Sequence, residues 1–299
     1  SIEVTPSQML MKPNSRQQLQ VTARYSDGTT RDVTRMALYE ANDREMAETT
    51  EEGLVKSRDL PGNVAVMVRY SGIVSTFRVS IPLGAPVEDV PPAKNFIDEH
   101  VFANLKNLGI PPSPVCDDAT FLRRISLDIG GRLPTLEETT AFLASTDPGK
   151  RDHAIDSLLT STDYADYFAN KWTALLKNKR DSDADITANF AFHAWMRDSL
   201  LANTPYDQIV RQILGASGTI VSNPPVAWYK RVKEPNQQLE DVAQLFLGVR
   251  MQCAQCHHHP FERWSQDDYY GLAAVFSRIG RKRGFADAEV PTNEVIFLT

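Results

Sequence analysis

The feature that most limits what this chain can fold into is a change of hydrophobic period across one proline-rich stretch. Before residue 82, apolar residues recur at every second position. Residues 18–25 and 63–70 alternate in this way, the mark of strands with one face buried. Ser26-Asp27-Gly28-Thr29 follows the first run as a hairpin turn, because Asp-Gly accepts the positive φ that tight turns need. Ser71-Gly72 turns the second run into a third strand over residues 73–81. Short strands at regular spacing predict an all-β sandwich over residues 1–82. It contains no cysteine, so no disulfide crosses it.

Pro82, Pro86, Pro91, Pro92 and Gly84 then crowd into eleven residues. Proline lacks a backbone donor and fixes φ, so residues 83–92 are expected to form a semi-rigid linker. From residue 93 the period becomes helical, beginning with the stripe Phe96, Ile97, Val101 and Leu105. Asp117 or Asp118 is placed to cap a helix that Gly130-Gly131 stops, and Pro134-Thr135 opens another. Asp147-Pro148-Gly149 precedes a helix carrying Ile155, Leu158 and Leu159, and Ser161 or Thr162 caps the next. Further helices are predicted over residues 186–201, 206–214, 237–249 and 267–279. The expected layout is multidomain: an all-β domain at 1–82, the linker at 83–92, and an all-α domain at 93–299 with nine or ten short helices.

Charge and cysteine content narrow the function classes. The formal net charge is −6, and residues 1–82 hold ten basic and ten acidic side chains, so the acidic excess lies entirely in the helical part. A nucleic-acid partner calls for a basic face, and only Arg281-Lys282-Arg283 is locally basic. No run approaches the roughly 20 apolar residues of a membrane span. The beginning lacks the charged and apolar regions of a signal peptide. Residues 294–299 read as a strand that needs a partner, which suggests that the natural protein continues.

One motif carries chemistry. Cys253-Ala254-Gln255-Cys256-His257 uses two of the three cysteines in the chain. Thiols at this spacing can each add across a vinyl group of one haem, and the histidine after the second becomes an iron ligand. Haem c, with its iron, is therefore the expected cofactor. A redox dithiol prefers a βαβ setting, whereas the surroundings here are helical. Zinc held by Cys253, Cys256, His257 and His259 is the other metal reading, although His258 and His259 lie too near in sequence to complete a tetrahedron easily.

For the far side of the iron the first candidate is His193, on one helical stripe with Ile186, Phe190, Arg197 and Leu200. That stripe is expected to face the core, with Arg197 free to pair with a haem propionate. Met251 and Met196 are thioether alternatives. Trp264, Tyr269, Tyr270 and Phe276, with His259-Pro260-Phe261, are candidates for the pocket wall, and Phe246 and Val249 for packing under the ring edge. His100 and His153 are expected to be solvated, and Cys116 to be a buried, inert thiol. Asp181, Asp183 and Asp185 lack the glycine and glutamate of a calcium loop and read as a solvated capping loop.

Residues 94–280 resemble the planctomycete and verrucomicrobial cytochrome-like proteins whose central domain has no assigned function. The matching stretches are residues 121–128 with Gly131-Arg132-Leu133-Pro134-Thr135, Asn203-Thr204-Pro205-Tyr206-Asp207, and above all residues 246–261 with Trp264. Residues 1–82 resemble a bacterial Ig-like domain of the group-2, invasin-like type. The resemblance implies a secreted or periplasmic bacterial haem c protein, usually followed by a further C-terminal domain. It implies no particular reaction.

The expected function is electron transfer outside the cytoplasm, in the periplasm or at the cell surface. Cys253 and Cys256 would hold the haem, and His257 would bind its iron opposite His193. The expected partners are a redox protein and either a C-terminal domain or other envelope proteins, with no nucleic acid. Two other classes stay open. One is a haem-dependent, peroxidase-like oxidoreductase linked to polysaccharide breakdown, which needs a displaceable sixth ligand. The other is a structural cell-surface protein whose metal centre only staples the fold.

Overall fold

The computed structural model describes residues 1–299 apart from Ser182, residues 258–263 and residues 285–293. Contacts divide the described chain into two compact units, Ser1–Val115 and the residues from Cys116 on.

The first unit contains β1 (Ile2–Thr5), β2 (Gln8–Leu10), β3 (Arg16–Gln18), β4 (Gln20–Arg24), β5 (Thr30–Asp32), β6 (Leu38–Ala41), β7 (Ala47–Thr49), β8 (Leu54–Ser57), β9 (Gly62–Tyr70), β10 (Ile73–Ile81) and α1 (Phe96–Leu108). The strands form three small sheets in the orders β1-β4-β5, β2-β10-β9-β6 and β3-β8-β7. All three contribute to one core, in which Val21, Val55, Val66, Val68 and Phe77 have no exposed surface. The alternation in β9 sends Val64, Val66 and Val68 inward, as a period of two requires. The turn after β4 closes through the Tyr25 N–H on the Thr29 carbonyl at 2.9 Å, with Gly28 at φ +84.

Two expectations change here. Residues 18–25 are not one strand. β3 pairs with β8, β4 pairs with β1 and β5, and buried Leu19 between them donates its N–H to the Gly53 carbonyl. The chain changes sheets without breaking its alternation, so pattern alone cannot show the corner. The linker, expected to be semi-rigid, is also hydrogen-bonded along its first residues. The Leu83 N–H bonds the Leu108 carbonyl at 2.7 Å, and the Ala85 N–H bonds that of Gly109 at 3.0 Å. Gly109 caps α1 at φ +62, and a Cβ there would lie 2.7 Å from the Gly84 nitrogen. Helix α1 thus belongs to the β unit, and the compact boundary falls after Val115. Its expected buried stripe is largely solvent-facing, since Phe96, Ile97 and Val101 are exposed and only Leu108 is buried.

The second unit is helical: α2 (Asp118–Gly130), α3 (Leu136–Ala144), α4 (Lys150–Leu159), α5 (Thr162–Leu175), α6 (Ile186–Leu201), α7 (Tyr206–Leu214), α8 (Ala227–Arg231), α9 (Pro235–Phe246) and α10 (Gln266–Phe276). Local sequence sets most of these ends. The Asp117 carboxylate accepts from the Thr120 N–H at 2.8 Å, Ser161 from Tyr164, and Thr135 closes a capping box with Glu138. A hairpin follows the helices, β11 (Ile279–Arg283) antiparallel to β12 (Glu294–Leu298). The apolar run at 294–299 therefore has its partner inside the chain. Ile296 also exchanges two backbone hydrogen bonds with Gly218 and is buried in the main helical core with Phe192, Met196, Ile213, Trp228 and Tyr229.

Arg132, just past the end of α2, joins three helices. Its Nη1 and Nη2 donate to both Glu138 oxygens at 2.8 and 2.7 Å, and its Nε donates to Asp163 at 2.6 Å. The guanidinium, followed by the Thr135 N–H, holds the Glu138 carboxyl down at about 2. Gly131 at φ +69 brings the chain so close to Tyr167 that a Cβ would sit 2.2 Å from the ring.

Glu138 titrates lower folded than unfolded, so its contribution is full above the ordinary carboxylate range. It is lost as pH falls through about 2. Arg132→Met is expected to flatten this acid limb in pH-dependent urea titrations. The effect is small, because Arg132 and Glu138 are 34% and 42% exposed. Gly131→Ala is expected to cost about 1–3 kcal/mol of helical-unit stability, read from the same titrations.

Candidate functional site

The Cys253–His257 segment is built on a 3-10 turn, Gln252–Gln255, between α9 and α10. The Ala254 N–H bonds the Met251 carbonyl at 2.9 Å. The Cys256 and His257 N–H groups both reach the Cys253 carbonyl, at 3.4 and 3.3 Å. Ala254 is fully buried in a small cluster with Leu239, Ala243, Met251, Tyr269 and Ala273, against which Val249 and Trp264 pack. With Ala254 turned inward, Cys253, Cys256 and His257 are left exposed, and both thiols are free.

Polar contacts hold the turn to both helices. Tyr269 Oη donates to Glu240 Oε1 at 2.8 Å, and Gln252 Nε2 donates to Glu240 Oε2 at 3.3 Å. Burial, followed by the Glu240 hydrogen bond, pushes the Tyr269 phenol well above its usual range. The Gln255 carbonyl accepts from Tyr270 Oη at 3.1 Å and from Gln266 Nε2 at 3.2 Å. Sequence reading missed this pin. Its only signal was Glu240 on the polar side of an amphipathic helix.

The donor set fits a covalently tethered haem. Two accessible thiols stand three residues apart, followed at once by an accessible imidazole. Apolar surface lies on the adjoining helix, where Tyr270, Leu272 and Val275 of α10 are 50%, 40% and 63% exposed. Among the described residues no group of three or more His, Cys, Asp or Glu is placed to hold a metal ion. His259, with Pro260 and Phe261, lies outside the described residues.

The other residues singled out in the sequence scatter. His193 and Arg197 do not face the core. The buried face of α6 is Phe192, Met196 and Ser199, while Phe190 is 75% exposed. His193 Nε2 is hydrogen-bonded to Asn170 Oδ1 at 3.0 Å, and Arg197 pairs with Asp166 at 2.5 Å, so both serve the packing of α5 on α6. No hydrogen bond or ion pair described links them to the Cys253–His257 turn. The physical reason is that α6 carries apolar or aromatic residues on nearly every side, so a wheel cannot select its inner face.

Met251 is buried beneath the turn and Met196 in the other core. Tyr269 is buried and Phe276 half-buried, whereas Tyr270 faces out. Phe246 packs edge-on to Tyr206, at 6.4 Å between ring centres, in the main core rather than with Val249. Cys116 is half-buried rather than buried. His100 and His153 are exposed, as expected. In the acidic loop Asp181 bonds Arg231, and Asp185 accepts from the Asp181 N–H without capping α6 through its side chain. Arg281, in the basic cluster, donates to the Val232 and Lys233 carbonyls.

Residues 96–281 match the sequence model of the PSCyt2 family, described as a protein of unknown function (DUF1549). No curated protein matches the chain.

If the buried methyl group orients the turn, enlarging it must disturb the thiols. Ala254→Leu is expected to cost about 1–3 kcal/mol. It should also change the rate at which an uncharged thiol reagent labels Cys253 and Cys256. Unchanged labelling would separate the turn's presentation from this packing.

Proposed function

We propose that this chain, which belongs to the PSCyt2 family of unknown function, is an extracytoplasmic c-type cytochrome-like protein that carries electrons on one haem. The observation that supports it is the joint outward presentation of Cys253, Cys256 and His257 by a turn anchored through Ala254. Cys253 and Cys256 would hold the group by thioether bonds, and His257 Nδ1 or Nε2 would bind the iron. Bound haem supplies one-electron exchange at its iron. Around it, Trp264 and Met251 keep the base of the turn apolar, and Glu240 fixes the base to α9 and α10 through Tyr269 and Gln252.

His193 is the proposed ligand on the far side. Binding iron through Nε2 would break its hydrogen bond to Asn170. Arg197 would likewise have to leave Asp166 to meet a propionate. Haem of this type is attached outside the cytoplasm, which supports a periplasmic or cell-surface location. Among the described residues no helix is long and apolar enough to cross a membrane. The N-terminal unit is proposed to be Ig-like and to act as a spacer or docking surface toward the envelope. A redox protein, a further C-terminal domain and other envelope proteins are the proposed partners.

Expression of the full chain in cells competent for cytochrome maturation tests this directly. Intact mass is expected to exceed the polypeptide by one haem, with a Soret band that Cys253→Ser and Cys256→Ser together abolish. The bare polypeptide mass would remove the proposal. A high-spin, ligand-reactive iron would turn it toward an enzyme. His193→Ala is expected to convert a low-spin iron to high-spin, and an unchanged spectrum takes His193 out of the reading.

A further inference from the structure

A second site lies in the helical unit, at a cavity of about 250 Å³ framed by α5, α6, α7 and the last turn of α9. Its floor is apolar, since Leu176, Met196, Ile209 and Ile213 line it and all are buried. Three rings stand over that floor. The Trp172 and Tyr206 ring centres are 5.7 Å apart with planes at 42°, and those of Tyr206 and Phe246 are 6.4 Å apart at 63°. Rings tilted in this way frame a space instead of stacking to fill it.

The mouth of the cavity is polar but neutral. Asn203 and Tyr206 are exposed there and Thr204 is half-buried, and no residue lining the cavity carries a charge. The end of α6 is closed by backbone alone. The Asn203 N–H bonds the Leu200 carbonyl at 3.0 Å, and the Thr204 N–H bonds that of Ser199 at 2.9 Å, with Asn203 at φ +49. Pro205 then leads into α7 without a side-chain cap. Asparagine and threonine beside helix ends ordinarily spend their side chains on such caps. Here neither side chain makes a hydrogen bond among the described residues.

Folded interiors hold few voids larger than a water molecule. An apolar cavity of about 150 Å³ already accepts benzene. The greater volume and the polar mouth suit one ring with a hydrogen-bonding substituent. An ion is disfavoured, because no opposite charge in the lining offsets its desolvation. A sugar brings more hydroxyls than this mouth can pair. We propose that this cavity binds a neutral single-ring phenol, its ring between Trp172, Tyr206 and Phe246 and its hydroxyl at the mouth beside Asn203 and Thr204. The walls belong to the main helical core, whereas the Cys253–His257 turn rests on a separate cluster. The site therefore survives or fails independently of haem attachment.

Calorimetric titration of the full chain at neutral pH, with phenol, cyclohexanol, benzene and sodium benzoate in turn, tests this. Phenol is expected to saturate with a Kd below about 1 mM. Cyclohexanol keeps the hydroxyl but has no π face, and is expected to bind about tenfold more weakly. Benzene lacks the hydroxyl and is expected to bind about fivefold more weakly. Charged benzoate is expected not to bind. Ile209→Phe puts a ring into the cavity and is expected to abolish phenol binding, with a urea midpoint unchanged or raised. Should that variant unfold, Thr204→Val at the mouth decides: phenol is expected to fall to the level of benzene. Phenol that does not saturate, or cyclohexanol or benzoate that binds as well, would overturn the proposal. So would full phenol binding by folded Ile209→Phe, or phenol that still outbinds benzene in Thr204→Val.

Discussion

The methyl group of Ala254 has no surface left to water, and the turn that carries it is too tight to bury its neighbours as well. The inward residue and the outward residues are therefore one decision. With Ala254 packed among Leu239, Ala243, Tyr269 and Ala273, both thiols and the following imidazole must point to solvent. The packing of α9 on α10 supplies that small apolar floor, and Glu240 ties the floor to the turn through Tyr269 and Gln252. A hydrogen bond to a partly buried carboxylate is among the stronger polar contacts a fold can make. The site is thus presented by a rigid seat, although its reactive groups are exposed.

The same economy operates where α2, α3 and α5 meet. Arg132 forks onto Glu138 in the first turn of α3, which Thr135 caps, and reaches Asp163 in the first turn of α5, which Ser161 caps. The caps that begin these helices and the ion pairs that join them share residues. Glu138 closes the capping box and receives the guanidinium at once. Helix ends, elsewhere the loosest parts of a bundle, here act as its joints.

What was legible in the sequence divides along a physical line. The limits of α6 and α7 were readable to the residue, because proline, aspartate and asparagine punctuate them locally. The caps at Asp117 and Ser161 were narrowed to one of two adjacent residues, and Thr135 was readable as a helix start, for the same reason. The cysteine motif was legible as a spacing, and the structure exposes Cys253, Cys256 and His257 together. Features decided at long range were not. Residues 18–25 alternate without interruption, yet Leu19 hands the chain from one sheet to another. Prolines announced the linker but not its hydrogen bonds to the end of α1. The apolar circumference of α6 hid which side faces inward, and with it the true neighbours of His193 and Arg197.

Ile296 brings a last consequence. Its side chain completes the packing around Trp228 and Phe192, and its backbone is bonded to Gly218. A ribosome delivers residues in order, so helices from α5 onward emerge well before the strand that closes over them. Until that strand clears the exit tunnel, the nascent core stays open to whatever chaperone or translocation machinery waits there. The hairpin is in this sense a latch set by the timing of synthesis.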